Sequence, residues 1–371
     1  MSENAPLTRR QWLQVGGAGL LATAMPARAA SPPRPVGPIR LNLNENAFGP
    51  SPKVGQAIAA HIRGVERYVE QGEVDALTKQ IAALERVAPQ QVVIGEVLEP
   101  LGLFLARQNP GGGGIVYSAP GYTALVDASA PLGGVAVPVP LNARLENDLP
   151  ALARAIDTRT LAVNLVNPHN PSGTVNDQAA LDAFILDSAR RTLVVVDEAY
   201  LEYDDLAGRS AVRYLRDGAN VLVFRTLAKV YGLAGLSVGY ALAPAALAEG
   251  LRKAGIGAPH SLNRLALVAA AAALGDQAHV RSVREHSVGE RARLTATLDS
   301  LGLHHTDSRA NFVFFQTSAV ADVRRVAAER DIQIARSFPP LDDWVRITIG
   351  TPAENDAVIN LLRDVLRKGK K

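Results

Sequence analysis

Short apolar runs alternate along the chain with longer segments whose apolar residues recur at helical spacing. The runs at residues 161–166, 193–196 and 221–224 are rich in β-branched residues and apolar on both faces. Runs of this kind are typical of parallel strands that are covered on both sides. Because helical segments separate them, the sequence predicts an α/β fold built on a large, mostly parallel sheet.

Other segments have clear local patterns. Thr351 and Glu354 form a capping box with Pro352 at the first helical position, which predicts the start of a C-terminal helix. The apolar stripe of this helix consists of Val358, Leu361, Leu362 and Val365. A second stripe, within residues 73–87, consists of Val74, Leu77, Ile81, Leu84 and Val87. The glycines at 111–114 predict a loop that enters a strand at Ile115, since no lysine follows at phosphate-loop spacing.

The composition narrows the class of protein. The chain has 371 residues, of which 47% are apolar and 20% charged, enough for two domains and too apolar for a disordered protein. The net charge is +3, and residues 1–29, with three arginines against one glutamate, carry +2 of it. A remainder so close to neutral argues against nucleic-acid binding. Because there is no cysteine, disulfides, thiolate metal sites and a cysteine nucleophile are excluded.

The first residues have the pattern of a targeting signal. Arg9 and Arg10 precede Trp12, an apolar stretch at 15–25 and a small-residue cleavage site ending at Ala29. This resembles a twin-arginine export signal, which implies handling by the twin-arginine translocation machinery and a periplasmic or secreted location. A buried N-terminal helix or an uncleaved anchor are the alternatives, although the stretch is short for a stable membrane span.

Polar side chains follow the three predicted strands where each strand ends. Asn170 comes shortly after the first, Asp197 and Tyr200 after the second, and Lys229 after the third. In a doubly wound sheet, ligands bind at the carboxyl ends of the strands. The sequence therefore predicts that an amide, a carboxylate, a phenol and an amine lie together at one edge of the sheet.

In these residues and their spacing the chain resembles the fold-type-I pyridoxal-phosphate-dependent aminotransferases of class I and II, and among them the histidinol-phosphate aminotransferases. The resemblance covers nearly all of the chain after the signal segment. It implies a large, mostly parallel sheet domain, a smaller α+β domain and pyridoxal 5'-phosphate as cofactor. The motifs that carry it are residues 41–50, 67–68, 120–122, 170–173, 197–200, 226–229, 233–236 and 345–350.

The resemblance implies a role for each residue at the predicted site. Lys229 would form the internal Schiff base with the cofactor and later move the substrate's α-proton. Asp197 would keep the pyridine nitrogen protonated, so that the ring accepts electrons. Asn170 and Tyr200 would bind the ring hydroxyl oxygen. Tyr122 would stack on the ring.

Four more positions acquire roles from the same resemblance. Arg346 would bind an anionic group of the substrate, since a guanidinium matches a carboxylate with two hydrogen bonds. Asn44 and Glu45 would also contact the substrate. Tyr68 would reach the cofactor phosphate of a neighbouring subunit, which implies a homodimer with shared active sites.

The resemblance also divides the chain and implies a reaction. After the signal peptide at 1–29, residues 30–66 would form an N-terminal arm and part of the small domain. Residues 67–261 would form the large cofactor-binding domain, and 262–371 the small domain. The enzyme would transfer an amino group between an amino acid, or an amino-alcohol phosphate, and a 2-oxo acid.

The chain departs from the family where the cofactor phosphate is bound. Family members have serine before the Schiff-base lysine and arginine after Ala-Gly-Leu, whereas this chain has Ala228 and Ser237. A glycine–serine pair before the first large-domain helix is replaced by a segment with Glu96 and Glu99. Each lost charged hydrogen bond corresponds to about 1.5–3 kcal/mol, so phosphate binding is expected to be weakened.

Other groups are expected to compensate in part. They are the hydroxyls of Thr226 and Ser237, the backbone N–H groups near Val97 and Leu98 at a helix start, and Tyr68.

Alternatives to an aminotransferase are open at this stage. A lyase or decarboxylase related to the histidinol-phosphate aminotransferases would use the same scaffold. A cofactor-poor exported pseudo-enzyme that binds a metabolite or protein would explain the altered phosphate site. Residues 235–239 also match the Gly-x-Ser-x-Gly motif of serine hydrolases. That motif needs a strand before Ser237, whereas residues 238–243 predict a strand after it.

Overall fold

A computed structural model of the chain describes residues 37–368. The predicted signal peptide and most of the N-terminal arm lie outside these residues. The strands are β1 (Ile39–Leu41), β2 (Val92–Ile94), β3 (Gly113–Ala119), β4 (Gly134–Pro140), β5 (Thr160–Val166), β6 (Leu193–Asp197), β7 (Val221–Thr226), β8 (Gly239–Leu242), β9 (Phe312–Gln316), β10 (Ile332–Ile334) and β11 (Trp344–Thr348).

The central sheet has the strand order β2-β8-β7-β6-β5-β3-β4. Strands β3 to β7 pair in parallel, whereas β8 is antiparallel to both of its neighbours. Every residue of β6 and β7 is buried, as is β5 after its first two residues. These are the three strands predicted from their apolar runs, so the prediction of a parallel sheet covered on both faces is confirmed.

Helices cover the sheet. Within the described residues none of them is long and apolar enough to cross a membrane. The helices are α1 (Pro52–His61), α2 (Gln71–Glu85), α3 (Leu98–Gln108), α4 (Ala124–Ser129), α5 (Leu149–Ala155), α6 (Gln178–Ala189), α7 (Leu206–Arg209), α8 (Val212–Arg216), α9 (Ala245–Lys253), α10 (Arg264–Leu274), α11 (Gln277–Ser300), α12 (Val320–Glu329) and α13 (Pro352–Lys368).

Two smaller sheets lie outside the central one. Strand β1 pairs in parallel with β10, and β9 pairs antiparallel with β11. Buried side chains of β9, β11, α11, α12 and α13 form one hydrophobic cluster beneath them. The described chain from Pro38 onward forms one compact unit, and the boundaries predicted at residues 66/67 and 261/262 stay predictions.

Local predictions hold with two corrections. The capping box of α13 is present, because Glu354 accepts from the Thr351 N–H at 2.7 Å and Thr351 accepts from the Glu354 N–H at 3.4 Å. In α2, the predicted stripe member Leu84 is 40% exposed, and Val87 lies beyond the helix end at Glu85, where it packs against the core. Strand β3 begins at Gly113, where a Cβ would lie 2.5 Å from the Leu161 side chain.

Candidate active site

The carboxyl ends of β5, β6 and β7 open into a cavity of about 790 Å³. Asn170, Asp197, Tyr200, Thr226 and Lys229 all line it. Because these strands are neighbours in the sheet, the segments that follow them meet at one edge. The predicted cluster of amide, carboxylate, phenol and amine is therefore present.

Lys229 lies in a tight turn after β7. Its carbonyl accepts from the Gly232 N–H at 2.9 Å, which closes the turn. The Nζ atom donates to the carbonyl of Leu43 at 2.9 Å and lies 5.8 Å from the centre of the Tyr200 ring. An amine held by one exchangeable hydrogen bond inside a cavity is available to react with a carbonyl compound.

Asp197 is the last residue of β6 and is 3% exposed. Its Oδ1 accepts from the Ala199 N–H at 3.0 Å. Burial raises the pKa of this carboxyl group to about 7, an effect that Glu96 reinforces and Lys229 opposes. A cationic N–H group placed next to it would restore the ionised form.

A hydrogen-bonded chain links the far side of the cavity. Asn44 Nδ2 donates to the Tyr200 hydroxyl at 3.0 Å, and Asn170 Nδ2 lies 3.5 Å from the same oxygen. Arg346 Nη1 donates to Asn170 Oδ1. Asn44 has a left-handed backbone (φ 55°), and Thr348 Oγ1 holds its side chain and its N–H. The phenol, two amides and the guanidinium therefore have fixed positions.

Arg346 lies in the middle of β11 and is 6% exposed. Its Nη2 donates to the Asn42 carbonyl at 2.9 Å, and the rings of Phe312 and Phe338 lie 5.2 and 4.9 Å from its guanidinium carbon. Within residues 37–368, Nε has no hydrogen-bond partner and no carboxylate pairs with this side chain. Burial lowers the pKa to about 10, so the group stays cationic at neutral pH and is suited to bind an anion.

At the edge of the cavity beside β7 and α3, a hydroxyl group is bound to a carboxylate. Thr226 Oγ1 donates to Glu96 Oε1 at 2.9 Å. Ser237 is exposed and has a left-handed backbone (φ 47°), and Leu98 is the first residue of α3. These four residues line the cavity, but Val97 does not, because its side chain packs in the apolar cluster beneath the sheet.

The remaining predicted residues are distributed around the entrance. Tyr122 lines the cavity, is 46% exposed, and has a pKa raised by burial to about 12. Glu45 also lines it and accepts from Arg40 Nη2 at 2.7 Å. Tyr68 is 89% exposed and lies outside the cavity of its own chain.

Some site residues were not found from the sequence. Arg336 and Phe338 line the cavity, but no motif marks them, because they reach it from the segment between β10 and β11. The sequence shows Glu96 as an extra carboxylate, whereas its contact with Thr226, 130 residues away, exists only in the folded chain.

The serine hydrolase hypothesis is wrong. Ser237 follows a short 3-10 helix at Ala234–Leu236 and precedes β8. The nucleophile of such hydrolases needs a strand before it and a helix after it, and neither is present here.

The comparisons with known proteins agree with this geometry. Residues 36–362 match the profile of the family "Aminotransferase class I and II". A histidinol-phosphate aminotransferase from Moorella thermoacetica is 36% identical over 334 residues, which cover 88% of this chain and 85% of that protein. An aromatic amino acid aminotransferase from Rhodococcus opacus is 35% identical over 324 residues, which cover 87% and 89%.

A solved structure is similar as well. The histidinol-phosphate aminotransferase from Sinorhizobium meliloti, in complex with pyridoxal-5'-phosphate, superposes with a TM-score of 0.80 at 30% identity and covers 89% of this chain and 91% of that one. The chain therefore belongs to the class I and II aminotransferase family. It has the fold-type-I architecture and is a pyridoxal-phosphate-dependent aminotransferase.

Proposed function

We propose that the cavity is the active site of this aminotransferase and that Lys229 is its catalytic residue. The observation that carries the proposal is the placement of the Lys229 amine and the Asp197 carboxylate at the ends of adjacent strands, β7 and β6, facing one cavity. A pyridine carbaldehyde needs an amine at its aldehyde end and a carboxylate at its ring nitrogen, which is the opposite end of the ring.

The residues fit the ring of pyridoxal phosphate. Asp197 would hold the proton on the ring nitrogen, and ionisation of its carboxyl group would be favoured by that cation. Because Asn44 donates to the Tyr200 hydroxyl oxygen, the hydroxyl hydrogen of Tyr200 is left to donate to the ring oxygen. Asn170 has its Oδ1 bound by Arg346 and donates one Nδ2 hydrogen to the Tyr200 hydroxyl at 3.5 Å, so its second Nδ2 hydrogen would donate to the same ring oxygen.

The chemistry divides between cofactor and chain. Pyridoxal phosphate, when bound, supplies a protonated ring that accepts the electron pair left at the substrate's α-carbon. Lys229 Nζ would hold the cofactor until a substrate amine replaces it, and would then move the α-proton as a general base and acid. Tyr122 would cover the ring at the cavity entrance and limit access of water.

We infer that the substrates are anionic: an amino acid or an amino-alcohol phosphate as amino donor, and a 2-oxo acid as acceptor. Arg346 and Arg336 both line the cavity, and among the described residues neither has a carboxylate partner. Two unpaired guanidinium groups fit an acidic substrate. Asn44 and Glu45 line the same space as candidate substrate contacts. Two relatives of nearly equal identity are named for different amino donors, histidinol phosphate and aromatic amino acids. Activity assays with both donors therefore decide between them.

We also propose a homodimer with shared active sites. Tyr68 is 89% exposed, and Ile62 and Val65 on the same segment are about half exposed, at 49% and 54%. Apolar side chains that share one exposed segment are typical of an interface. Tyr68 would then contact the cofactor phosphate of the partner subunit, and the dimer would form two active sites.

Export through the twin-arginine route is proposed from Arg9 and Arg10 and the apolar stretch that follows them. A fusion of residues 1–29 to a reporter enzyme should reach the periplasm of a bacterial host and should stay in the cytoplasm when both arginines are changed to lysine. Equal export of both fusions would exclude the twin-arginine route.

The absorption spectrum of the purified full chain tests the catalytic assignment. Added pyridoxal phosphate should give a visible band that is absent from Lys229→Ala and present in Lys253→Ala, whose lysine is exposed on α9. Amino transfer from histidinol phosphate and aromatic amino acids to 2-oxoglutarate is then measured. A band that persists in Lys229→Ala would exclude Lys229 as the reacting amine.

A further inference from the structure

The strand order determines which end of the cofactor faces which residues. In pyridoxal phosphate the ring nitrogen is opposite the aldehyde carbon, and the hydroxyl and the phosphate arm are on the two sides between them. Asp197 and Lys229 therefore define the long axis of the ring. Asn170 follows β5 and lies 3.5 Å from the Tyr200 hydroxyl, so the ring hydroxyl would face the β5 side of the cavity and the phosphate arm would point to the other side, toward β7, β8 and β2.

That side contains the donors an anion would use. Helix α3 begins at Leu98, and the side chain of the preceding Val97 makes no capping hydrogen bond. The helix start therefore offers backbone N–H groups, although Pro100 in its first turn has none. The hydroxyls of Thr226 and Ser237 line the same corner of the cavity.

A carboxylate already occupies this corner. Glu96 Oε1 accepts the hydroxyl hydrogen of Thr226 at 2.9 Å, and the Thr226 oxygen also accepts from the Ala228 N–H at 3.1 Å. The hydrogen that Thr226 has for donation is thus used by Glu96, and none is left for a phosphate oxygen. An anion placed beside Glu96 would also be repelled by it.

We propose that Glu96 holds the place of the cofactor phosphate and that binding of a phosphorylated cofactor requires this carboxylate to take up a proton. The inference rests on the proposed function of the same cavity. The proton comes from solvent and bonds to a Glu96 oxygen. The Thr226 hydroxyl then donates its hydrogen bond to a phosphate oxygen instead of to Glu96. The protonated Glu96 carboxyl group can also donate a hydrogen bond to the phosphate.

The surroundings of Glu96 favour proton uptake. Lys229, from the loop after β7, is the cation that acts on Glu96, and Glu99 on α3 is the carboxylate that acts on it. Asp197 at the end of β6 is a further carboxyl group nearby, and the charge of Glu96 raises its pKa. Tyr122, before α4, faces the group from the entrance. Burial raises the pKa of Glu96, with Glu99 adding to the shift and Thr226 and Lys229 opposing it. Affinity for pyridoxal phosphate should therefore fall as the pH rises.

Cofactor titrations of the full chain test this. Dissociation constants for pyridoxal phosphate and for pyridoxal, which lacks the phosphate, are measured by absorbance between pH 6.5 and 8.5. Glu96→Gln should bind pyridoxal phosphate about tenfold more tightly than wild type at pH 8, with a flatter pH dependence, because its amide donates without a proton from solvent. Its affinity for pyridoxal should change by less than about twofold.

Two further variants make the result specific. Glu96→Ser, whose hydroxyl also donates, should tighten binding as Glu96→Gln does, and it covers the case in which the glutamine variant does not fold. Glu99→Gln removes a neighbouring charge from the same cavity and should change the dissociation constant by less than about threefold.

The outcomes separate the inference from the proposed function. An unchanged dissociation constant in Glu96→Gln, or equal tightening for pyridoxal and its phosphate, would overturn the role of Glu96 while leaving the active site in place. If wild type and every Glu96 variant fail to bind either compound, the proposed function fails and the inference fails with it.

Discussion

Asp197 ends β6 with 3% of its surface exposed, and burial raises its pKa to about 7. Its ordinary pKa is near 4, so the folded state holds the proton more tightly than the unfolded state between these values. Stability of the cofactor-free protein is therefore lost as the pH rises from about 4 to 7, and the loss is complete above that range. In its proposed role, Asp197 would recover this lost stability when a cationic ring nitrogen binds beside it.

Asp197→Asn should remove the loss of stability that ionisation of the buried carboxyl group causes. Its Oδ1 can still accept from the Ala199 N–H, while no buried charge forms. At pH 8 without cofactor, the free energy of unfolding measured in urea should rise by a few kcal/mol, and at pH 4 the variant should match wild type. Aminotransferase activity should be lost, because a neutral amide does not hold the ring proton.

The control for this prediction is Asp187→Asn, since Asp187 is exposed on α6. It should change the free energy of unfolding by less than about 0.5 kcal/mol at either pH. An Asp197→Asn protein that is less stable than wild type at pH 8 would mean that the carboxylate is stabilised in the cofactor-free state.

At the scale of elements, the turn after β7 positions Lys229, the proposed catalytic residue. Gly232 closes it with φ +72°, and a Cβ there would lie 2.7 Å from the Pro50 nitrogen and 2.8 Å from the Gly49 carbonyl carbon. The turn therefore packs directly on backbone from the segment between β1 and α1. Two segments that are far apart in the sequence but in contact in the fold therefore together position Lys229.

Gly232→Ala should both destabilise the protein and displace Lys229. The left-handed backbone costs roughly 1–2 kcal/mol for a non-glycine residue, and the clash with rigid backbone adds to it. Gly218→Ala is the matched control, because Gly218 has φ +85° and nothing within 4 Å of its Cβ position. Urea unfolding should show a larger loss for Gly232→Ala, and its cofactor absorbance band should weaken. Equal losses in the two variants would mean that the turn absorbs the extra methyl group.

At the scale of the whole molecule, the prediction concerns shared active sites. Lys229→Ala and Tyr68→Ala should each be nearly inactive as homodimers. In a mixed dimer, one site carries both substitutions and the other is native, so a refolded equimolar mixture should recover about a quarter of wild-type activity. Steady-state assays of the mixture measure this. No recovery, in a sample that light scattering shows to be dimeric, would place both residues in one site of a single chain.

Much of the candidate site was predictable because its residues follow strands with an unmistakable pattern. Asn170, Asp197 and Lys229 each follow an apolar run within five residues, and parallel strands bring the carboxyl ends of these runs to one edge. The capping box of Thr351 and Glu354 is equally predictable from the sequence, since its two partners are three residues apart. Short-range and periodic signals of this kind are present in the sequence itself.

The sequence by itself therefore determined the fold class and the family, and it predicted which polar groups lie together in the cavity. Only the tertiary structure decided what surrounds them: that Arg336 reaches the cavity, that Asn44 orients the Tyr200 hydroxyl, and that Glu96 uses the hydrogen of Thr226. The physical reason is distance along the chain. Asn44 and Tyr200 are 156 residues apart, and Glu96 and Thr226 are 130 apart, so no local pattern records a contact that exists only when the sheet brings its strands together.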